Sequence, residues 1–275
     1  MIVRISPPPR RTGMATRTAA IAAAAIAGAT TVVLVMAPAS WIAAGVQAAS
    51  RGMVTLGQPR GTAWNGSASV ILGTGDGEAS VRTSLPGAVF WRLDPWALLT
   101  GTLHITFRDR SLFAMPLAVR VNALGGAIDA DHIRLPASVL TGIGAPWNTI
   151  RPGGTLDLDW DTVRWRSGAI AAELRGQTRL TWDGASSTLT PVRPFGRYRL
   201  QIDGLYPGAP VRLVTLAGPL LLSGGGTITA GGHLHFRGAA RIRPGTNATV
   251  AAQLSGLVSL LGRRDGDGAI LDLAI

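Results

Sequence analysis

The chain is predicted to be mainly β: a single N-terminal transmembrane helix followed by a large twisted antiparallel β-sheet domain, a sandwich or half-closed roll, with a few short helices. Three observations lead there. Ala19–Met36 is an uncharged apolar run. Beyond about residue 53, polar and apolar residues alternate over short stretches bounded by Gly or Pro, as strands with one dry and one wet face require. Helical patterns in that region are few and short.

Residues 1–17 are a basic tail, holding Pro7-Pro8-Pro9 and Arg4, Arg10, Arg11 and Arg17 with no acidic residue. Residues 18–37 form the expected span: at about 1.5 Å per helical residue the run Ala19–Met36 covers roughly 27 Å, close to the hydrocarbon thickness of about 30 Å. The far flank offers Arg51 and Arg60 over a comparable distance, so the positive-inside bias keeps the N-terminus cytoplasmic and exports the rest. The alternative is a cleavable signal peptide, for which Ala37-Pro38-Ala39 and Val46-Gln47-Ala48 supply small-residue sites. Pro38 ends the helix, and Trp41 follows at headgroup depth. Residues 38–52 are expected to be a juxtamembrane connector, helical over Ala43–Ser50.

Residues 53–275 form the β-rich domain. A first strand is expected at Met53–Leu56, closed by Gly57. Leu103, Ile105 and Phe107 then alternate with polar groups; Leu156, Leu158 and Trp160 alternate with Asp157, Asp159 and Asp161; Tyr198, Leu200 and Ile202 alternate with Arg199, Gln201 and Asp203; Leu234 and Phe236 alternate with His233, His235 and Arg237. Short helices are expected at Pro95–Leu99 after Asp94, at Pro136–Thr141, and at Gln253–Leu261, where Leu254, Leu257, Val258 and Leu261 form an apolar stripe. Gly262 is expected to end the last helix in a left-handed conformation. Ala269–Ile275 reads as a terminal strand. Trp64-Asn65-Gly66-Ser67-Ala68 and Trp182-Asp183-Gly184-Ala185-Ser186 share a pattern that one hairpin turn used twice would explain.

Composition narrows the function. There is no Cys, so neither disulfides nor thiolate metal sites are available. The net charge of +11 rests wholly on Arg, spread through the chain in a composition rich in Ala and Gly. A GC-rich genome produces this balance without selection for polyanions, so nucleic acid is not an expected partner.

Candidate chemical residues all have plain alternatives. Asp157, Asp159 and Asp161 resemble the start of a calcium loop, but Thr162 stands where Gly is needed and Gly168 where the bidentate Glu belongs, leaving three acids on a wet strand face. His233 and His235 can point the same way, yet lack further ligands nearby in sequence; solvated strand histidines account for them. His104 and His132 stand alone, with no nucleophile beside them. No Gly-x-Ser-x-Gly is present, and Gly224-Gly225-Gly226 lacks the Lys and helix of a phosphate loop, so it reads as a bend between strands. Asn65-Gly66-Ser67 and Asn247-Ala248-Thr249 match a glycosylation sequon that short patterns reach by chance. No catalytic, cofactor-binding or metal-binding residue is assigned, and an enzyme is not expected.

The order of basic tail, single span, Pro38-Ala39-Ser40-Trp41 and Gly61-Thr62-Ala63-Trp64-Asn65-Gly66 resembles the type II secretion system protein N (GspN, general secretion pathway protein N) family. The likeness continues through Trp91-Arg92-Leu93 with Pro95, Pro152-Gly153-Gly154 with Leu158 and Trp160, Pro191-Val192, and Pro194 with Gly196-Arg197-Tyr198. It extends to Leu222-Ser223-Gly224-Gly225-Gly226, Phe236-Arg237-Gly238-Ala239-Ala240, and Leu260-Leu261-Gly262-Arg263-Arg264 with Gly266-Asp267. Ala63 departs from it, where the family more often looks larger.

The resemblance implies a single-pass inner-membrane protein with a cytoplasmic N-terminus and a periplasmic β-rich domain. It would be a non-catalytic accessory of the general secretion pathway, supporting export of folded proteins across the outer membrane. Its partners would be other components of that system and the inner membrane, with no small-molecule substrate or cofactor. Trp64, Trp91, Trp160 and Trp182 then pack sheet faces. Contact with neighbouring domains could use edge-to-edge strand addition. The alternative is a periplasmic lipid carrier whose dry sheet face forms a trough for acyl chains. An outer-membrane barrel is set aside, because aromatics make up 5% of the chain, too few for two girdles.

Overall fold

The computed structural model describes residues 35–73, 82–85, 87–109, 115–143, 147–166, 175–204, 206–229, 233–266 and 268–274, together with Ala25, Gly28 and Val32. The expected span at 18–37 lies outside the described residues except at those three positions and 35–37. Among the described residues no helix is long and apolar enough to cross a membrane.

The first element with described bounds is helix α1 (Ala39–Ala49), starting directly after Pro38. Ala39 is buried and Ile42, Ala43 and Val46 are half-buried, the one-sided spacing of a helix lying on a surface. That surface is the first sheet, ordered β1 (Val54–Gly61), β2 (Asn65–Gly73), β4 (Val89–Leu93), β5 (Thr102–Arg108), β6 (Leu117–Asn122), β7 (Gly125–Ile128) and β10 (Val163–Arg166), with β3 (Arg82–Ser84) also paired to β2. The expected connector is therefore packed structure. Ala39 joins Ala68, Trp91 and Leu93 in a core that Leu103, Ile105 and Phe107 extend.

The second sheet runs β16 (Arg263–Asp265), β17 (Gly268–Ala274), β15 (Leu234–Ile242), β14 (Leu220–Ile228), β13 (Pro210–Ala217), β12 (Gly196–Ile202), β11 (Thr178–Ser187), β9 (Pro152–Trp160) and β8 (Asp131–Pro136). All the pairings in both sheets are antiparallel. Most join strands close in sequence, the pattern of a meander.

The two sheets are joined by one long ribbon. Ile128 faces Val163 across β7 and β10, and Asp131 faces Trp160 across β8 and β9, so two residues separate the two ladders on each strand and the register is kept with none inserted. The apolar positions change phase there. Ile128 and Val163 lie before the joint; Ile133, Leu135, Leu156 and Leu158 lie beyond it at odd spacings from them. Because side chains alternate along a strand, the dry face passes from one side of the ribbon to the other at this joint.

Two of the described apolar patches of the second sheet have helical covers, and a third, around Val211, Ile228 and Phe236, packs with Tyr206 and Ala209 of the loop before β13. Helix α4 (Ala248–Leu261) lays Leu254, Leu257 and Val258 against Tyr198, Leu220, Leu222 and Ala240. Burying each such side chain is favourable by about 1.5–3 kcal/mol. Asn247 caps the helix, accepting from Thr249 N at 2.8 Å. The 3₁₀ segment Ala137–Ile143 puts Ala137 and Val139 on Leu156, close to the Pro136–Thr141 expectation. Helix α2 (Pro95–Leu99) agrees with the sequence, Asp94 accepting from Trp96 N at 3.0 Å; one short further helix, α3 (Trp147–Ile150), sets buried Ile150 in the α4 core.

Several local expectations are corrected. Gly57 does not close the first strand: β1 continues to Gly61 through a bulge between Gly57 and Arg60. Gly224–Gly226 lies inside β14, where an added Cβ at Gly224 would stand 2.5 Å from the Phe236 ring. Neither Asn65-Gly66 nor Asp183-Gly184 is a hairpin turn; the first pair opens β2, and the second sits at a bulge in β11. Gly262 is extended (φ 178°), and its small size answers the close approach of the Ile270 carbonyl.

Candidate functional site

The best-defined junction lies where the chain arrives from residue 36. Ala37 is buried, and its carbonyl accepts from Ala63 N at 2.8 Å. Pro38 bridges to Thr62, and Trp91 Nε1 donates to the Ala63 carbonyl at 3.1 Å. Three consecutive residues, Ala37, Pro38 and Ala39, are thus held on the β1–β2 turn and its underlying core. Sequence reasoning placed a connector here and missed this docking, although the 39, 42, 43, 46 spacing carried the signal.

The acidic run occupies the wet face of β9. Asp157 accepts from Arg134 Nε at 2.7 Å, a hydrogen bond and charge that hold the guanidinium above its ordinary pKa. Asp159 stands 2.8 Å from His132 Nδ1. His132 is therefore not solitary: the β8–β9 register sets it opposite Asp159 and Arg134 opposite Asp157. Asp161 is exposed. His233 and His235 are exposed on and beside β15, and His104 lies across from Arg120. Among the described residues no group of three His, Asp or Glu side chains is gathered as metal ligands.

The four tryptophans singled out from sequence take packing positions. Trp91 is buried and Trp64 packs beside it. Trp160 Nε1 donates to the Asp129 carbonyl at 2.9 Å. Trp182 Nε1 donates to the Gly153 carbonyl at 2.9 Å, its ring meeting Phe195 edge-on at 5.7 Å. A cleft of about 870 Å³ opens between α4 and the β15–β17 edge. Arg241, Ser255, Ser259, Arg264 and Asp265 line it together with Ile242, Ala251 and Val258, a mixed wall with charges of both signs. Beyond β16, the outer edge of β17 from Leu271 to Ala274 has no strand partner among the described residues.

These features define a β scaffold with a docked chain junction and, among the described residues, an unpaired strand edge. The family model of type II secretion system (T2SS), protein N matches residues 52–271, and the chain belongs to that family. It is accordingly a component of the type II secretion system, in a family of accessory parts. No curated protein and no solved structure matches it.

Proposed function

We propose that this protein is a non-catalytic accessory of the type II pathway, anchored in the inner membrane by residues 18–37, with its β domain in the periplasm supporting export of folded proteins across the outer membrane. The family match over residues 52–271 carries this proposal. The uncharged run Ala19–Met36 behind four arginines supports the anchor and its orientation. The fixing of Ala37 on Ala63 supports a short, stiff link between anchor and sheet. Attachment to neighbouring components of the system would use the outer edge of β17, since an unpaired strand edge is a template for another strand.

The test is complementation of a deletion strain with the full chain and with residues 38–275 behind a cleavable export signal. Exoproteins released by the first and retained in the periplasm with the second, at equal protein levels, are the expected result. Rescue by both forms contradicts the anchor. Normal secretion with an altered outer-membrane lipid content would favour the lipid-carrier alternative.

A further inference from the structure

Among the described residues most of the exposed large apolar side chains of the first sheet lie at one end, Met53 and Met115 standing at the other, and the register fixes which end. Ala37 meets Ala63 in the β1–β2 turn, and Leu93 N donates to the Trp64 carbonyl at 2.7 Å. Strand β4 therefore finishes beside that turn and hands the chain to α2. Thr102 faces Asn122, so the β6–β7 turn lies at the same end.

What these connections present is unusual for surface loops. Trp96 is 75%, Leu99 79% and Leu124 80% exposed, with Leu98 and Trp41 also exposed. Helix α2 is held as a firm turn: Asp94 caps its start, Pro95 presets its backbone, and Thr100 Oγ1 donates to the Ala97 carbonyl at 2.7 Å. Single exposed apolar residues are ordinary, but an indole and several leucines grouped at one sheet end mark a contact surface.

The chain enters the sheet at this same end, through Ala37, and the run Ala19–Met36 directly precedes it in sequence. If it spans a bilayer, the headgroup layer lies against this end of the domain, and Trp with Leu on a short helix is the composition that enters such a layer. We propose that α2, through Trp96 and Leu99, together with the Leu124 turn, dips into the interface of the membrane that holds the anchor and fixes the tilt of the β domain. This rests on the anchored reading above. The tether supplies the high local concentration that lets a small contact persist.

The chain contains no Cys, so one introduced thiol takes a unique environment-sensitive dye. The full chain would carry Leu99→Cys, Gly28→Cys or Ser84→Cys, the last on β3 at the opposite end of the sheet. Each variant is reconstituted into phosphatidylethanolamine and phosphatidylglycerol vesicles containing phosphatidylcholine spin-labelled either near its headgroup or deep in its acyl chain. The expected result is quenching of at least about twofold at position 99 by the headgroup label and at position 28 by the chain label, and little at 84 by either. Quenching at 28 but not 99 overturns the second contact and leaves the anchor standing. Quenching at neither overturns both, quenching at 99 alone overturns the anchored reading and with it the tethered contact, and equal quenching at all three contradicts a defined contact.

Discussion

Trp91 and Gly66 face one another across β2 and β4, a pairing in which the ring uses the space that a side chain would fill. A Cβ at position 66 would lie 2.5 Å from the Trp91 ring and 2.8 Å from the Arg60 carbonyl oxygen, so the ring lies flat where only hydrogen fits. Trp165 covers Gly126 in the same manner. Gly66→Ala should destabilise the protein by about 1–3 kcal/mol through overpacking, read as an earlier urea midpoint. Trp91→Ala should cost more, about 3–5 kcal/mol. Tyr198 gives a pH signature. Its hydroxyl donates to the Leu220 carbonyl at 2.9 Å, and burial pushes its pKa above the ordinary 10.0. The raised value means this stabilisation is complete below pH 10 and is lost as pH rises beyond it, because the unfolded phenol ionises first. Tyr198→Phe should therefore flatten the fall of Tm above about pH 10, and an unchanged slope would contradict the assignment.

Among the elements, those with local chemistry were legible in the sequence. Asp94 before Pro95 marked α2, the Leu254, Leu257, Val258 stripe marked α4, and the alternating runs marked β5, β9, β12 and β15. What failed did so for nonlocal reasons. Gly57 resembles a strand end, yet β2 carries β1 past it through a bulge; Gly224–Gly226 resembles a bend, yet its glycines make room for Phe236. His132 looked solitary because Asp159 is its neighbour only across strands. The start of α4 was read late because Asn247 was weighed as a sequon instead of as a cap. Asn247→Ala should cost about 1 kcal/mol by leaving Thr249 N without its partner, measurable as a lower Tm. Leu254→Ala, emptying a fully buried position under the sheet, should cost about 2–5 kcal/mol.

For the molecule as a whole, alternation foretold an extensive antiparallel sheet but not its division. The change of phase between Ile128 and Ile133 was present in the sequence, and it gained meaning once the continuous β7–β8 and β9–β10 ribbon showed that no residue is inserted there. The candidate site was less legible than the fold, since it carries no motif: the docking of Ala37–Ala39 on Ala63 and the edge of β17, unpaired among the described residues, follow from strand pairing. Family membership fixes the machine to which this scaffold belongs, and its role there is open to one decisive measurement. That measurement is the partition of a folded exoprotein between periplasm and medium after clean deletion of the gene. A secretion accessory predicts accumulation in the periplasm, with the outer membrane remaining tight to periplasmic markers; exoprotein reaching the medium at the undeleted level would contradict the account.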